Sequence, residues 1–158
     1  MTNRLEQGVT TVEFAIIGAA LMLVLFGVIE VGRATFVMNA LAESTRRAAR
    51  MATVCPLNDP AIAQVAMFNS PGETGPGVIG GGLTEANFET RYLDANGAVI
   101  ADPTANFGEI MFVRTRIVNF QHQMLIPFAT YVVTTPSFAT TLRRESLGVP
   151  RDGIVAPC

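Results

Sequence analysis

Residues 14–29, FAIIGAALMLVLFGVI, carry no charged side chain, and they lie within a stretch, 1–55, that contains none of the chain's nine prolines. Without proline nothing removes a backbone donor or clashes with the preceding turn, so one helix can run through the whole stretch. A helix so apolar is stable only with apolar surroundings on every side. A chain of 158 residues is about one domain, and what remains beyond the helix could hardly wrap it. A bilayer can. Sixteen residues fall short of the usual span of about 20, but counting from Val9 gives 21 residues with one acid, Glu13, inside. A cleaved secretory signal is the weaker reading. Its basic start would rest on Arg4 alone, offset by Glu6, and no small-x-small site followed by a polar stretch appears after the apolar core.

Beyond Arg33 the pattern changes without stopping. Ala34, Val37, Met38, Leu41, Ala48, Ala49 and Ala52 form a helical stripe, with Thr45 in its one gap. Glu30/Arg33, Glu43/Arg46 and Glu43/Arg47 stand at helical-neighbour spacings. The expectation is one helix over about 9–53, roughly 65–70 Å long. Residues 9–30 form its transmembrane part and 31–55 an amphipathic part projecting into water.

Charged residues make up 15% of the chain, against roughly 25% in a soluble domain. Net charge is −2, and all 11 basic residues are Arg. No basic excess exists to neutralise a phosphate backbone, so nucleic acid is not an expected partner. The middle of the chain, 56–112, is acidic and the tail, 113–158, is basic. That suits packing of one against the other, and equally suits solvated faces of mixed sign. Arg33, Arg46, Arg47 and Arg50 follow the span while only Arg4 precedes it. By the positive-inside rule alone the carboxyl-terminal part would be cytoplasmic.

Glu13 stands at the mouth of the apolar run, where a carboxylate is costly and usually has a partner or a purpose. The plain reading is a marker of the membrane surface. The preceding residues offer another: Gly8, then Val9-Thr10-Thr11-Val12-Glu13-Phe14, resembles the processing site of a type IV prepilin. Such chains are cut after the glycine by a membrane aspartyl peptidase. Val9 would become the new amino terminus, and Glu13 would lie about 6 Å along the helix from the new ammonium. In low dielectric these charges stabilise each other, within one subunit or between two.

More of the helix carries the likeness. VEFAIIGAALMLVLFGVIEVGRATFVMNAL, followed by RRAARMA, resembles the TadE-like family of pilin-like proteins. The resembling pieces are Val12-Glu13-Phe14, Phe26-Gly27 with Glu30 and Gly32-Arg33, Asn39, and the Arg/Ala-rich helix end. Residues 138–145, FATTLRRE, resemble the strand that closes such domains. The likeness is strong over 8–54, weaker over 110–146 and absent from the glycine-rich middle. It implies a minor pilin or pseudopilin of a tight-adherence (Tad) pilus, contributing to assembly and adhesion. It implies a leader over 1–8, a single pass through the inner (cytoplasmic) membrane, and an extracytoplasmic region over 56–158. The implied partners are the lipid bilayer, a prepilin peptidase, other pilin-like subunits and the Tad assembly platform. Gly8, Val9 and Phe14 would form the processing site and Glu13 would register subunits. Ala15, Gly18 and Ala19 would let neighbouring helices approach closely. The implied topology outweighs the Arg count.

In the globular region Asn58 or Asp59 can cap a short helix with Pro60 in its first turn, ended by Ser70-Pro71-Gly72. Residues 88–93 and 98–100 flank a turn at Asp94-Ala95-Asn96-Gly97, a hairpin pattern. In 110–120, Met111, Val113, Thr115 and Ile117 alternate with Arg114 and Arg116. Residues 131–135 and 138–144 read as further strands. The expected class is α+β: a long helix packed on a small antiparallel sheet, the ladle shape of pilins. Cys55 and Cys158 are the only cysteines. In a reducing compartment they are unrelated thiols; in an oxidising one they could bond and tie the tail to the helix end.

Other signals fall away. Gly75-Pro76-Gly77-Val78-Ile79-Gly80 matches G-x-G-x-x-G, but it contains proline and sits in a glycine-rich loop, 72–82, with no strand before it. His122, between Gln121 and Gln123, reads as a polar loop histidine. The sequence calls for no metal, no cofactor and no catalytic constellation. The alternative to a filament subunit is an uncleaved, signal-anchored extracytoplasmic binding module, with an anchored enzyme last.

Overall fold

A computed structural model describes residues 3–158 apart from 78, 80, 81, 127, 128, 150–152, 154 and 156. Helix α1 spans Asn3–Val54 and α2 Ala61–Ala66; strands are β1 (Phe88–Leu93), β2 (Phe112–Ile117), β3 (Gln121–Ile126), β4 (Ala129–Thr134) and β5 (Ala139–Arg143). The architecture is α+β, as expected. At 52 residues, α1 is about 78 Å long. It begins at Asn3, upstream of the expected start at Val9. Nothing between Asn3 and Gly8 breaks a helix, and a glycine costs it only about 1 kcal/mol.

The strands form two antiparallel sheets rather than one: a three-stranded sheet in the order β1-β2-β5, and a β3-β4 hairpin. Asn119, at φ 55°, turns the chain out of the first sheet. The single run expected over 110–120 therefore breaks into β2 and β3. The alternation in β2 holds: Val113, Thr115 and Ile117 are buried, while Arg114 and Arg116 stand on the other face. The second arm expected at 98–100 is reduced to one bridge, Leu93↔Val99. Its turn forms as read, with Asp94 Oδ1 accepting from the N–H groups of Asn96 and Ala98 at 2.8 Å each. Helix α2 ends at Ala66, ahead of Ser70-Pro71-Gly72, because Phe68 adopts φ 66°.

The helical stripe receives the sheet. Ala48, Ala52 and Cys55 pack with Ile62, Tyr92, Ile110 and Val113. Val37 and Leu41 pack lower down with Ile117 and Phe120. Small side chains let the sheet lie close on the helix. In the gap, Thr45 is buried and satisfied: its hydroxyl donates to the Ala42 carbonyl at 2.9 Å and lies 3.0 Å from Thr140 Oγ1 on β5. All three helical ion pairs form, Glu30–Arg33, Glu43–Arg46 and Glu43–Arg47. Among the described residues the acidic middle meets the basic tail at a cross-strand ion pair, Glu89 on β1 and Arg116 on β2.

A helix end leaves carbonyls without partners. The end of α1 finds them in the tail. Glu145 and Leu147 N–H donate to Thr53 O at 3.2 and 3.1 Å, Gly148 N–H to Val54 O at 2.6 Å, and Ser146 Oγ to Val54 O at 3.1 Å. Beside this cap Cys55 and Cys158 form a disulfide, with Cα atoms 5.6 Å apart.

Candidate functional site

The amino-terminal half of α1 stands clear of the domain. Residues 8–29 are exposed throughout, with Gly18 alone half-buried. Val9 and Glu13 lie one turn apart on one helical face, about 6 Å along the axis. Ala15, Gly18 and Ala19 share a face by the same rule, and a Cβ built on Gly18 would meet nothing within 4 Å. Gly8 and Val9 lie inside the helix, not in an extended segment. Phe14 points outward, 77% exposed. The single chain thus presents the predicted processing and registry residues together on one open rod, and brings no residue from the globular region to them among the described contacts.

A second cluster lies at the upper end of the rod, and sequence reasoning missed it. Glu30 follows the uncharged run directly, yet it is only 6% exposed. Arg33, three residues on, reaches back: its Nε donates to Glu30 Oε2 at 3.0 Å and its Nη2 to Oε1. The same Nη2 donates to the Gln123 carbonyl of β3. The Leu125 N–H, also on β3, donates to Glu30 Oε1 at 3.2 Å. Burying a carboxylate is costly unless it is paired and hydrogen-bonded, and here it is both. Helix and hairpin are riveted through one charged pair.

His122 belongs to this cluster, which corrects its reading as a polar loop residue. It sits on β3, 3% exposed, with Nε2 3.8 Å from Glu30 Oε1 and without a hydrogen-bond partner for that nitrogen among the described residues. Strand alternation turns His122 and Met124 toward the helix and Gln121, Gln123 and Leu125 away. Two signals pointed here. Glu30 ends an apolar run with Arg33 at ion-pair spacing, and 117–142 contains no Asp, Glu, Lys or Arg.

Elsewhere, Glu89 accepts from Arg116 Nε at 2.6 Å and also pairs with Arg91. The Arg116 hydrogen bond leads the causes that hold its carboxyl below the usual range, against an opposing desolvation and with Arg91 adding to the lowering. Burial, partly offset by the hydrogen bond from Asn58 N–H, pushes the Tyr92 phenol up. Among the described residues no group of three or more His, Cys, Asp or Glu side chains is placed to hold a metal. Of the glycine-rich loop, 78, 80 and 81 lie outside the described residues, and so do 1 and 2 of the leader.

Comparison with known proteins agrees with the likeness read from the helix. A family model described as TadE-like protein matches residues 8–50. Residues 51–158 lie outside that match. No curated protein matches the chain, and no solved structure does. Helix α1 is long and apolar enough to cross a membrane.

Proposed function

We propose, from the TadE-like character of residues 8–50, that this chain is a structural minor pilin or pseudopilin of a Tad-type pilus. It waits in the inner membrane as a single-pass protein, is cut after Gly8 by a prepilin peptidase, and joins the filament or its assembly platform. TadE-like proteins are pilus-associated and structural, and an apolar amino-terminal helix fits a single membrane pass.

The observation that carries the reading is the open rod itself. Glu13 sits one turn from Val9 on a segment whose described side chains have no cover from the domain. Once Val9 is an amino terminus, its ammonium and the Glu13 carboxylate of the same or a neighbouring subunit neutralise each other. The pair then fixes how far one helix slides along the next. Ala15, Gly18 and Ala19 keep the contact close. The globular region, on the outer side, carries the adhesive surface.

The alternative, an uncleaved anchor bearing a binding module, draws on the continuity of α1 across Gly8 and Val9. A peptidase needs that turn opened. It lies within two turns of the helix start at Asn3, near an end that frays more readily than the interior. Intact mass of the chain from native membranes, with and without an active prepilin peptidase, separates the two. Loss of residues 1–8 only when the peptidase is active is the expected result. A chain that still begins at Met1 sinks the filament-subunit reading.

A further inference from the structure

The β3-β4 hairpin carries apolar side chains that no part of the domain covers. Leu125 is 69% exposed, Tyr131 58% and Val132 53%. Its depth along α1 is fixed by the cluster described above. Gln123 is bonded at the level of Arg33 and Leu125 at the level of Glu30. Strand β3 therefore descends along the helix from the Phe120–Leu41 packing toward the apolar run. Just below Glu30 on the helix, Val28 and Ile29 are exposed too.

We infer that this hairpin is a second membrane contact, with Leu125, Tyr131 and Val132 seated at the boundary between headgroups and acyl chains of the bilayer that α1 crosses. The inference rests on the single-pass reading. Three observations favour lipid over a second protein chain. The span read from the sequence, 9–30, reaches the roughly 20 residues that a hydrocarbon core requires and ends at Glu30, so the bilayer surface falls at the level of Leu125. At Glu30 the hairpin and Arg33 already enclose the carboxylate, so lipid can rise around it without meeting a bare charge. From 117 to 142 the chain has no Asp, Glu, Lys or Arg, so nothing on the hairpin opposes entry into the interface. A tyrosine at this level suits the amphipathic character of the headgroup region. The exposed side chains stand on both faces of the hairpin, Tyr131 beside Met124 and Val132 beside Gln123, and next to Glu30 the α1 side chains Ile29 and Val31 are exposed as well.

The chain contains no Trp, so single Trp variants report without interference. The full chain carrying Tyr131→Trp, and separately Leu125→Trp, is placed at one copy per nanodisc in lipids brominated near the glycerol end or deep in the chain. Leu21→Trp, midway along the apolar run, is the deep reference. Val99→Trp, on the turn side of the domain, is the aqueous one. The expected result is that Tyr131→Trp loses several-fold more emission than Val99→Trp, and more to shallow than to deep bromine. Quenching of Leu21→Trp with none beyond the aqueous reference for the hairpin variants overturns the inference and leaves the single-pass reading standing. No quenching of Leu21→Trp removes both. A hairpin signal that changes only when two copies share a disc names a second chain as occupant and overturns the lipid contact.

Discussion

Glu30 on α1 and Leu125 on β3 are 95 residues apart and joined by one hydrogen bond, from the Leu125 N–H to Glu30 Oε1 at 3.2 Å. That bond, with Arg33 donating both to Glu30 and to the Gln123 carbonyl, pins a small hairpin to a helix it touches along one strand. Without it the hairpin is held by its connections to β2 and β5 and by the packing of Phe120.

Glu30→Ala therefore loosens β3 before it unfolds the domain. A hydrogen bond to a charged group contributes about 1.5–3 kcal/mol. Protection of the 121–126 amides from hydrogen exchange falls roughly 10- to 100-fold, while the β1-β2 amides keep theirs. Equal loss across both sheets would show that the pair supports the whole domain instead.

Glu13→Ala leaves the peptide bond after Gly8 intact as a substrate, because the side chain lies beyond the scissile residues on an exposed face. Cleavage proceeds and assembly fails. Pili in normal number on cells expressing this variant would remove the registry role while leaving processing untouched.

Gly148 has φ +77°, and a Cβ there would meet Pro56 Cγ at 2.6 Å. Its N–H caps Val54 O. Gly148→Ala forces a left-handed alanine into a closed contact and opens the helix cap. The cost is about 1–3 kcal/mol, read as a lower melting temperature of the full chain in detergent. An unchanged melting temperature would mean that the tail does not brace the helix end.

The disulfide closes a sequence separation of 103 residues, worth up to roughly 4–5 kcal/mol by unfolded-chain entropy and often less. Cys55→Ser with Cys158→Ser lowers thermal stability, and reduction of the parent chain brings it to the same value. If reduction changes nothing, the two cysteines are not bonded in the folded protein.

Glu89 supplies a pH dependence of known sign. Its carboxyl is held below the ordinary value of 4.5, first by Arg116. A depressed carboxylate stabilises the fold fully above its unfolded value, and that contribution disappears as pH falls through the lower folded value. The stability difference between the parent and Glu89→Gln is present at neutral pH and shrinks below about pH 4.5. A difference that grows on acidification would reverse the assignment. The pair is partly exposed, so salt reduces the effect.

Local pattern carried much of this protein. The absence of proline before Pro56 and the spacing of Val37, Leu41, Ala48 and Ala52 dictate α1 and the face it buries, because helical neighbours are also sequence neighbours. The alternation from Val113 to Ile117 dictates β2 for the same reason. The TadE-like segment is likewise contiguous, and so legible. His122 and Glu30 were not. Gln121-His122-Gln123 has no apolar alternation to announce a strand, and the acid that covers it comes from the far end of the chain.

What residue order alone determined, then, is the rod, its apolar length, the acid at its mouth and the stripe that receives a sheet. Each of these follows from contacts three or four residues apart. The tertiary structure decided that the upper acid is enclosed, that a hairpin descends along α1 to the level of Glu30, and that the tail caps the helix. Those contacts close loops of about ninety residues or more. Their geometry depends on where Asn119 and Gly148 turn the backbone, which no periodicity records.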